Sequence, residues 1–175
     1  VTYDLGFDGN QPEADNIYRI EAHFDGRQAA VIPRPFIEQF KMSSPHVKSA
    51  AIANAMVSDM FDWFYHIEKE NGKDYYSGKV MTVSADYPNV FQFNMVEGDV
   101  SQLDKPETAL IPENMAKRAF GNESAINQYL TDSEENFKLI IGGVYKDFPD
   151  NSSTKNVIYT KIPDEENREN WGSFN

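Results

Sequence analysis

Three histidines, His23, His46 and His66, are the only imidazoles in the chain that could serve acid–base or metal chemistry. No two stand at a helical metal-pair spacing and none belongs to a Glu-containing zinc motif, so they read as ordinary strand, loop or surface residues. A serine nucleophile needs a base and an oxyanion site; the sequence has no G-x-S-x-G, and Ser43, Ser44, Ser152 and Ser153 lie among turn-forming residues. Two carboxylate pairs, Asp59 with Asp62 and Glu134 with Glu135, lie in charged stretches where nothing apolar isolates one acid for proton transfer. Asp147, Asp150 and Asn151 offer oxygens to a calcium ion but lack the EF-hand pattern, and loop chemistry accounts for them better. Gly142-Gly143 has no following Lys-Ser/Thr and no helix to meet a phosphate. Asn122-Glu-Ser124 and Asn151-Ser-Ser153 fit the glycosylation pattern only as short chance matches. The chain contains no cysteine, which removes disulfides, thiol catalysis and thiolate metal sites together. No catalytic residue, metal ligand or cofactor site emerges.

The aromatic group Phe61, Trp63, Phe64, Tyr65, Tyr75 and Tyr76 is the one feature that exceeds routine core supply. Placed on either side of a turn, it reads as a satellite core or as an exposed contact surface for a peptide or partner protein. Both remain open at the level of sequence.

The elements that must position these residues follow from composition and pattern. A chain of 175 residues, 40% hydrophobic, is long enough to bury roughly 70% of its unfolded surface in one domain. A formal charge of -12 repels phosphate backbones and anionic lipid, which argues against nucleic acid and direct membrane binding. No apolar run approaches the roughly 20 residues of a membrane span. The first residue is Val1 and the last stretch, Trp171-Gly-Ser-Phe-Asn175, is strand-like, so a fragment cut from a longer protein is expected.

Alternation predicts a strand over Ile17–Phe24 with Tyr18, Ile20, Ala22 and Phe24 on one face. Helical spacing of Phe36, Ile37 and Phe40 predicts a helix from Pro33 to Met42, ended by Ser43-Ser44-Pro45. His46–Val57 reads as a strand; Met60–Ile67 as a strand or short helix; and Asn71-Gly72 as the turn of a hairpin into a strand over Tyr75–Ser84. Asp86 and Pro88 open a brief helix, Phe93–Val96 follows as a short segment, and Glu97-Gly98-Asp99 turns. Thr108–Ile111 is a buried strand entering a helix from Pro112 to Phe120, with Gly121 as its stop. In Phe137–Tyr145, the clearest strand, Phe137, Leu139, Ile141 and Tyr145 are expected on one face and Ile140 and Val144 on the other, with Gly142-Gly143 marking a bulge or close backbone approach. Val157–Lys161 is the last strand before a charged segment over Asp164–Asn170. The fold class is α+β, richer in strand than helix.

The order of these segments carries a resemblance. Asp15-Asn-Ile-Tyr-Arg-Ile-Glu21, Val83-Ser-Ala-Asp-Tyr-Pro-Asn-Val-Phe-Gln-Phe93, Val96-Glu-Gly-Asp99, Thr108–Gly121 and Ile141-Gly-Gly-Val-Tyr-Lys-Asp-Phe-Pro149 with Asn151-Ser152 are similar, in order, to the motifs of MacB-like periplasmic core domains of ABC transporter permeases, the MacB/FtsX family. Two positions depart from the pattern. Pro112 stands where the family has Thr or Ser, so the following helix loses a side-chain cap; Asn127-Gln128 stands where the family has Gly-Lys, which puts that turn in question.

The resemblance implies a two-lobed extracytoplasmic domain, with a porter-like lobe from residues 1–83 and 150–175 and an inserted smaller α/β lobe from 84–149. It implies no catalytic group and no cofactor. It further implies a protein of the inner membrane whose partners are its own transmembrane helices, a cognate cytoplasmic ATPase, a second permease copy or half, and a periplasmic adaptor or peptide cargo. The domain would couple ATP hydrolysis to export or envelope remodelling. The alternative is a free-standing periplasmic domain that binds a peptide or sugar.

Overall fold

The computed structural model describes residues 8–24, 27–29, 32–54 and 62–164. In chain order its strands are β1 (Ala22–Phe24), β2 (Arg27–Ala29), β3 (Ala53–Asn54), β4 (Trp63–Lys69), β5 (Gly72–Gly78), β6 (Val80–Val83), β7 (Met95–Gly98), β8 (Thr108–Pro112), β9 (Tyr129–Asp132), β10 (Lys138–Tyr145) and β11 (Ile158–Lys161). The helices are α1 (Arg34–Ser43), α2 (Tyr87–Val90) and α3 (Glu113–Phe120), with 3₁₀ turns at Ala14–Asn16 and Val100–Asp104.

β10 organises the sheet because it is apolar on both faces and can be covered on both. β8, buried at every residue, runs parallel to it on one side. On the other side β9 and β7 stand end to end, β9 against Lys138–Ile140 and β7 against Gly143–Tyr145, both antiparallel. The sheet order is β3-β6-β11-β8-β10-β9-β4-β5, with β7 beside β10; β1 and β2 form a separate ribbon. Strands from 84–149 therefore occupy the middle, joined to the flanking strands through β11–β8 and β9–β4.

Each face of this sheet carries its own core. Over one face α3 sets Met115, Ala119 and Phe120 against Ala109, Ile111, Leu130, Leu139, Ile141 and Ile158. The other face holds a cluster of rings in which Phe93 meets Tyr145 and Tyr159 edge-on, at 5.2 and 5.1 Å and 89° in each case. Such pairs contribute about 0.5–1.5 kcal/mol each beyond the area they bury. Two hydroxyls of this cluster are satisfied by backbone: Tyr145 Oη donates to Val157 O (2.6 Å) and accepts from Val157 N (3.0 Å), and Tyr159 Oη donates to Lys155 O (2.8 Å). A smaller cluster of Ile32, Ile37, Ile52 and Ile162 seats α1.

The bulge expected at Gly142-Gly143 is present, as a register shift between Ile141 and Gly143 against β8. It overturns the expected facing of β10: Val144 joins Leu139 and Ile141 under α3, while Tyr145 turns into the ring cluster. One inserted residue reverses alternation beyond it. The same glycines admit Gly98, whose φ is +73°; a Cβ there would strike Gly142 O and lie 2.9 Å from Gly143 Cα. A Cβ on Gly142 would lie 2.6 Å from both Gln102 Cβ and Thr108 Cγ2.

Both departures from the family pattern are compensated. Asp147, just past β10, accepts the Asn114 N–H at its Oδ1 (3.1 Å) and so supplies the cap that Pro112 cannot. Asn127 takes φ +66°, a conformation Asn tolerates better than most residues, in place of Gly. Asp8 ties the first described residues to the loop after β10. Its N–H donates to Asn151 O (2.9 Å), and its carboxylate accepts from Ser152 Oγ (3.0 Å), Ser153 N (2.6 Å) and Ser153 Oγ (2.5 Å).

Other expectations are corrected. Only Ala22–Phe24 of the first predicted strand pairs, and Tyr18 points to solvent, because only that end meets β2. Of His46–Val57 only Ala53–Asn54 is strand among the described residues; small residues with weak strand preference find just a two-residue match on β6. Tyr75–Ser84 is two strands, since pairing with β4 ends at Gly78 and the chain crosses to pair with β11 from Val80. Phe93 lies in the core, and the strand begins at Met95 instead. Asp86 makes no cap; its carboxylate takes Lys41 Nζ (2.6 Å) and Asn89 Nδ2 (3.1 Å). β9 and the 3₁₀ turn at Val100–Asp104 were not anticipated. Among the described residues no helix is long and apolar enough to cross a membrane.

Gly98→Ala combines a left-handed backbone with a backbone collision and is expected to cost about 3 kcal/mol or more. Gly121→Ala, at φ +64° and ψ -113° but with nothing within 4 Å of the added Cβ, is expected to cost less, about 1–3 kcal/mol. Urea midpoints of the two variants measure the difference. A second outcome concerns alkali. Burial raises Tyr87, Tyr145 and Tyr159, the last to about 12 from an ordinary 10.0. The unfolded chain releases these protons first, so their contribution is intact below about pH 10 and falls as pH rises above it, that of Tyr159 being lost as pH passes through about 12. Phenolate absorbance from these rings is expected to appear together with loss of the near-ultraviolet dichroism in that window.

Candidate functional site

The β4–β5 hairpin divides the aromatic group between two faces. Successive residues of a strand point to opposite sides, so Trp63, Tyr65 and Ile67 face α3 while Phe64, His66 and Glu68 face away. The pairing Tyr65↔Tyr76 and His66↔Tyr75 assigns β5 in the same way.

On the inner face Tyr65, 1% exposed, stacks between Trp63 (4.9 Å, 28°) and Tyr76 (5.8 Å, 20°), and Trp63 continues the stack onto Phe137 (5.3 Å, 14°). Arg118 of α3 lies 5.7 Å from the Tyr76 ring centre. Burial pushes the Tyr65 hydroxyl up, and the Arg118 guanidinium opposes that shift. Burial also raises Tyr76, with the Asp74 carboxylate adding to it. Lys69, at the end of β4, donates to Ala119 O (2.8 Å) and lies over the Phe120 ring at 4.5 Å, tying the hairpin to the carboxyl end of α3.

Among the described residues nothing covers the outer face. Phe64 is 62% exposed and Tyr75 68%. Between them His66 is buried, its ring 5.6 Å from that of Tyr75 and tilted by 49°. Among the described residues no group hydrogen-bonds either His66 nitrogen, and the carboxylate of Glu68 stands 3.4 Å from Nε2 at its Oε1. The register His66↔Thr131 and Lys138↔Thr131 extends this face onto β9 and β10, where it gains Tyr129 and Lys138. Lys138 Nζ lies 5.9 Å from the Tyr129 ring centre. An open groove of about 460 Å³ follows, lined by Pro106, Glu107, Tyr129, Phe137, Lys138 and Ile140 among others. At its rim Lys73 pairs with Glu135, which raises the lysine and lowers the carboxyl.

The structure thus places Trp63, Tyr65 and Tyr76 in packing and leaves Phe64 and Tyr75 facing solvent; Phe61 lies outside the described residues. Tyr129 and Lys138, which complete the outer face, carry no mark in the sequence that would assign them to it. The run Tyr129–Asp132 is only four residues long, too short to stand out as a strand. The other chemical candidates do not assemble. Asp62 pairs with Lys79 (3.1 Å), Glu134 accepts from Asn136 Nδ2 (3.1 Å), and Asp147 is occupied by the α3 cap. Asp59 is outside the described residues, and among those described no three His, Asp or Glu converge for a metal ion.

The sequence match is nearly end to end: the family model for the MacB-like periplasmic core domain covers residues 5–173. The chain belongs to this family. The fold of a MacB-like periplasmic core domain is seen again in solved structures. A domain of a protein described as a permease from Porphyromonas gingivalis superimposes with a TM-score of 0.65 at 21% identity, covering 86% of this chain and 67% of that one. The periplasmic region of MacB from Actinobacillus actinomycetemcomitans gives 0.52 at 12% identity, covering 74% of this chain and 55% of that one. This core domain therefore spans little more than half of the latter. No curated protein matches the sequence.

Within the domain the two faces of the hairpin answer differently to truncation. Tyr65→Ala empties the middle of a buried stack and is expected to cost about 3–5 kcal/mol. Phe64→Ala, its neighbour in sequence, is expected to stay within about 0.5 kcal/mol of the parent. Equilibrium unfolding in urea checks both.

Proposed function

We propose that this domain is the extracytoplasmic part of an ABC transporter permease and that it relays motion without carrying out chemistry of its own. The observation that carries the reading is the family match over residues 5–173. In this reading ATP hydrolysis by a cytoplasmic partner moves two copies of the domain relative to each other. That motion drives a cargo outward or signals to an envelope protein. The outward aromatics Phe64 and Tyr75 serve as the contact surface, while Trp63, Tyr65 and Tyr76 hold the hairpin on α3. The division into a porter-like lobe, 1–83 with 150–175, and an inserted lobe, 84–149, belongs to the same proposal, with the β11–β8 and β9–β4 pairings as its seams.

The chain's lack of cysteine gives a direct test. Glu123→Cys, at an exposed turn after α3, is introduced into the full-length protein with its other cysteines removed. In spheroplasts a membrane-impermeant maleimide is expected to label this cysteine from outside. Spin labels at the same site in the assembled transporter are expected to change their separation between nucleotide-free and ATP-bound states. Labelling that requires lysis would refute the location, and a separation that ignores nucleotide would refute the relay.

A further inference from the structure

The outer face of the hairpin has a composition that core packing does not require. Elsewhere the sheet is covered on both sides, by α3 and by the ring cluster, yet across β5, β4 and β9 one side is left open by the described residues, with Phe64, Tyr75 and Tyr129 exposed upon it. Aromatic rings held at this exposure offer their faces to a partner. The surroundings set the sign of that partner. The net charge is -12, and the turn beside the groove sets Asp132, Glu134 and Glu135 against two lysines, Lys73 and Lys138. The two lysines of the face are engaged, Lys73 by Glu135 and Glu68 and Lys138 by the Tyr129 ring. That last contact is the intramolecular version of what a basic side chain would find over Tyr75.

The sheet edge sets the form of the partner. β5 pairs along all seven residues with β4, and among the described residues nothing pairs with its other side. It carries no proline and no bulge; of the usual protections of an edge it has charge alone, at Lys73 and Asp74. An extended segment laid there would gain a ladder of main-chain hydrogen bonds. Every second side chain would then fall on the open face beside Lys73, Tyr75 and Ser77.

We propose that this edge and face take an extended cationic segment of a partner protein, lysines or arginines alternating with apolar residues, added as a strand to β5 with basic groups over the exposed rings. The assignment rests on the contact surface named above and specifies what binds there. A second copy of this chain is disfavoured by its like charge, and an acidic segment by the rim.

The probe is a fluorescent octapeptide of alternating Lys and Val, titrated into the 175-residue chain while amide shifts are followed by NMR. Saturable binding is expected, weakened by salt, with the largest shifts in β4, β5 and β9. Phe64→Ser and Tyr75→Ser are each expected to weaken it about 2- to 5-fold, the range of an exposed cation–π contact. A peptide N-methylated at alternate residues, on the edge that would face β5, is expected to lose binding. Equal binding of the Glu-Val analogue, shifts centred away from the hairpin, affinity unchanged by both serine variants, or no binding at millimolar peptide would each overturn the proposal. Because the relay is read by spin-label separation and this by peptide affinity, failure of one is distinguishable from failure of the other.

Discussion

The contact between Gly98 and the Gly142-Gly143 pair sets the rest of the architecture. Three residues without side chains let the end of β7 lie against the backbone of β10, where any Cβ would collide. The bulge produced there re-aims the strand, so that one continuous element feeds both cores: Leu139, Ile141 and Val144 toward α3, Tyr145 toward the rings on the opposite side. With regular alternation, Tyr145 would point under α3 and the ring cluster would lose the hydroxyl that holds Val157. The placement of β11, and through it β6 and β3, follows from that cluster.

Much of this was legible because it depended on local rules. Apolar runs named β8, β10 and β11, turn chemistry named the hairpin at Asn71-Gly72, and the stop at Gly121 fixed the end of α3. The doubled glycine announced a bulge, but not its effect on facing, since alternation beyond a bulge depends on how many residues are inserted and where. What could not be read depended on distant partners. β9 is strand because β10 and β4 lie on either side of it. Asp147 looked like a loop carboxylate and is instead the cap of a helix 33 residues away. Asp86 looked like a cap and instead reaches Lys41.

For the surface, sequence supplied the aromatic residues but not their division. Trp63 and Phe64 are neighbours of equal hydrophobicity, and only the pairing of β4 with β5 and β9 decides which is enclosed. Once the register is known, the rule of two assigns every ring. His66 shows the cost of that geometry: it is enclosed because Tyr75 and Thr131 flank it, and neither offers its nitrogens a hydrogen bond.

The clamp made by Asp8 has a consequence for how tension travels. Its hydrogen bonds fasten the segment that begins there to residues 151–153, a few positions from the end of β10, and Gln11 accepts the Gln92 N–H nearby at 2.8 Å. A pull along residues 8–16 therefore arrives at the loop behind the middle strand instead of peeling an outer strand from the sheet. The packed cluster nearest that entry is the group of rings formed by Phe93, Tyr145, Phe148 and Tyr159, on which such a load would bear first.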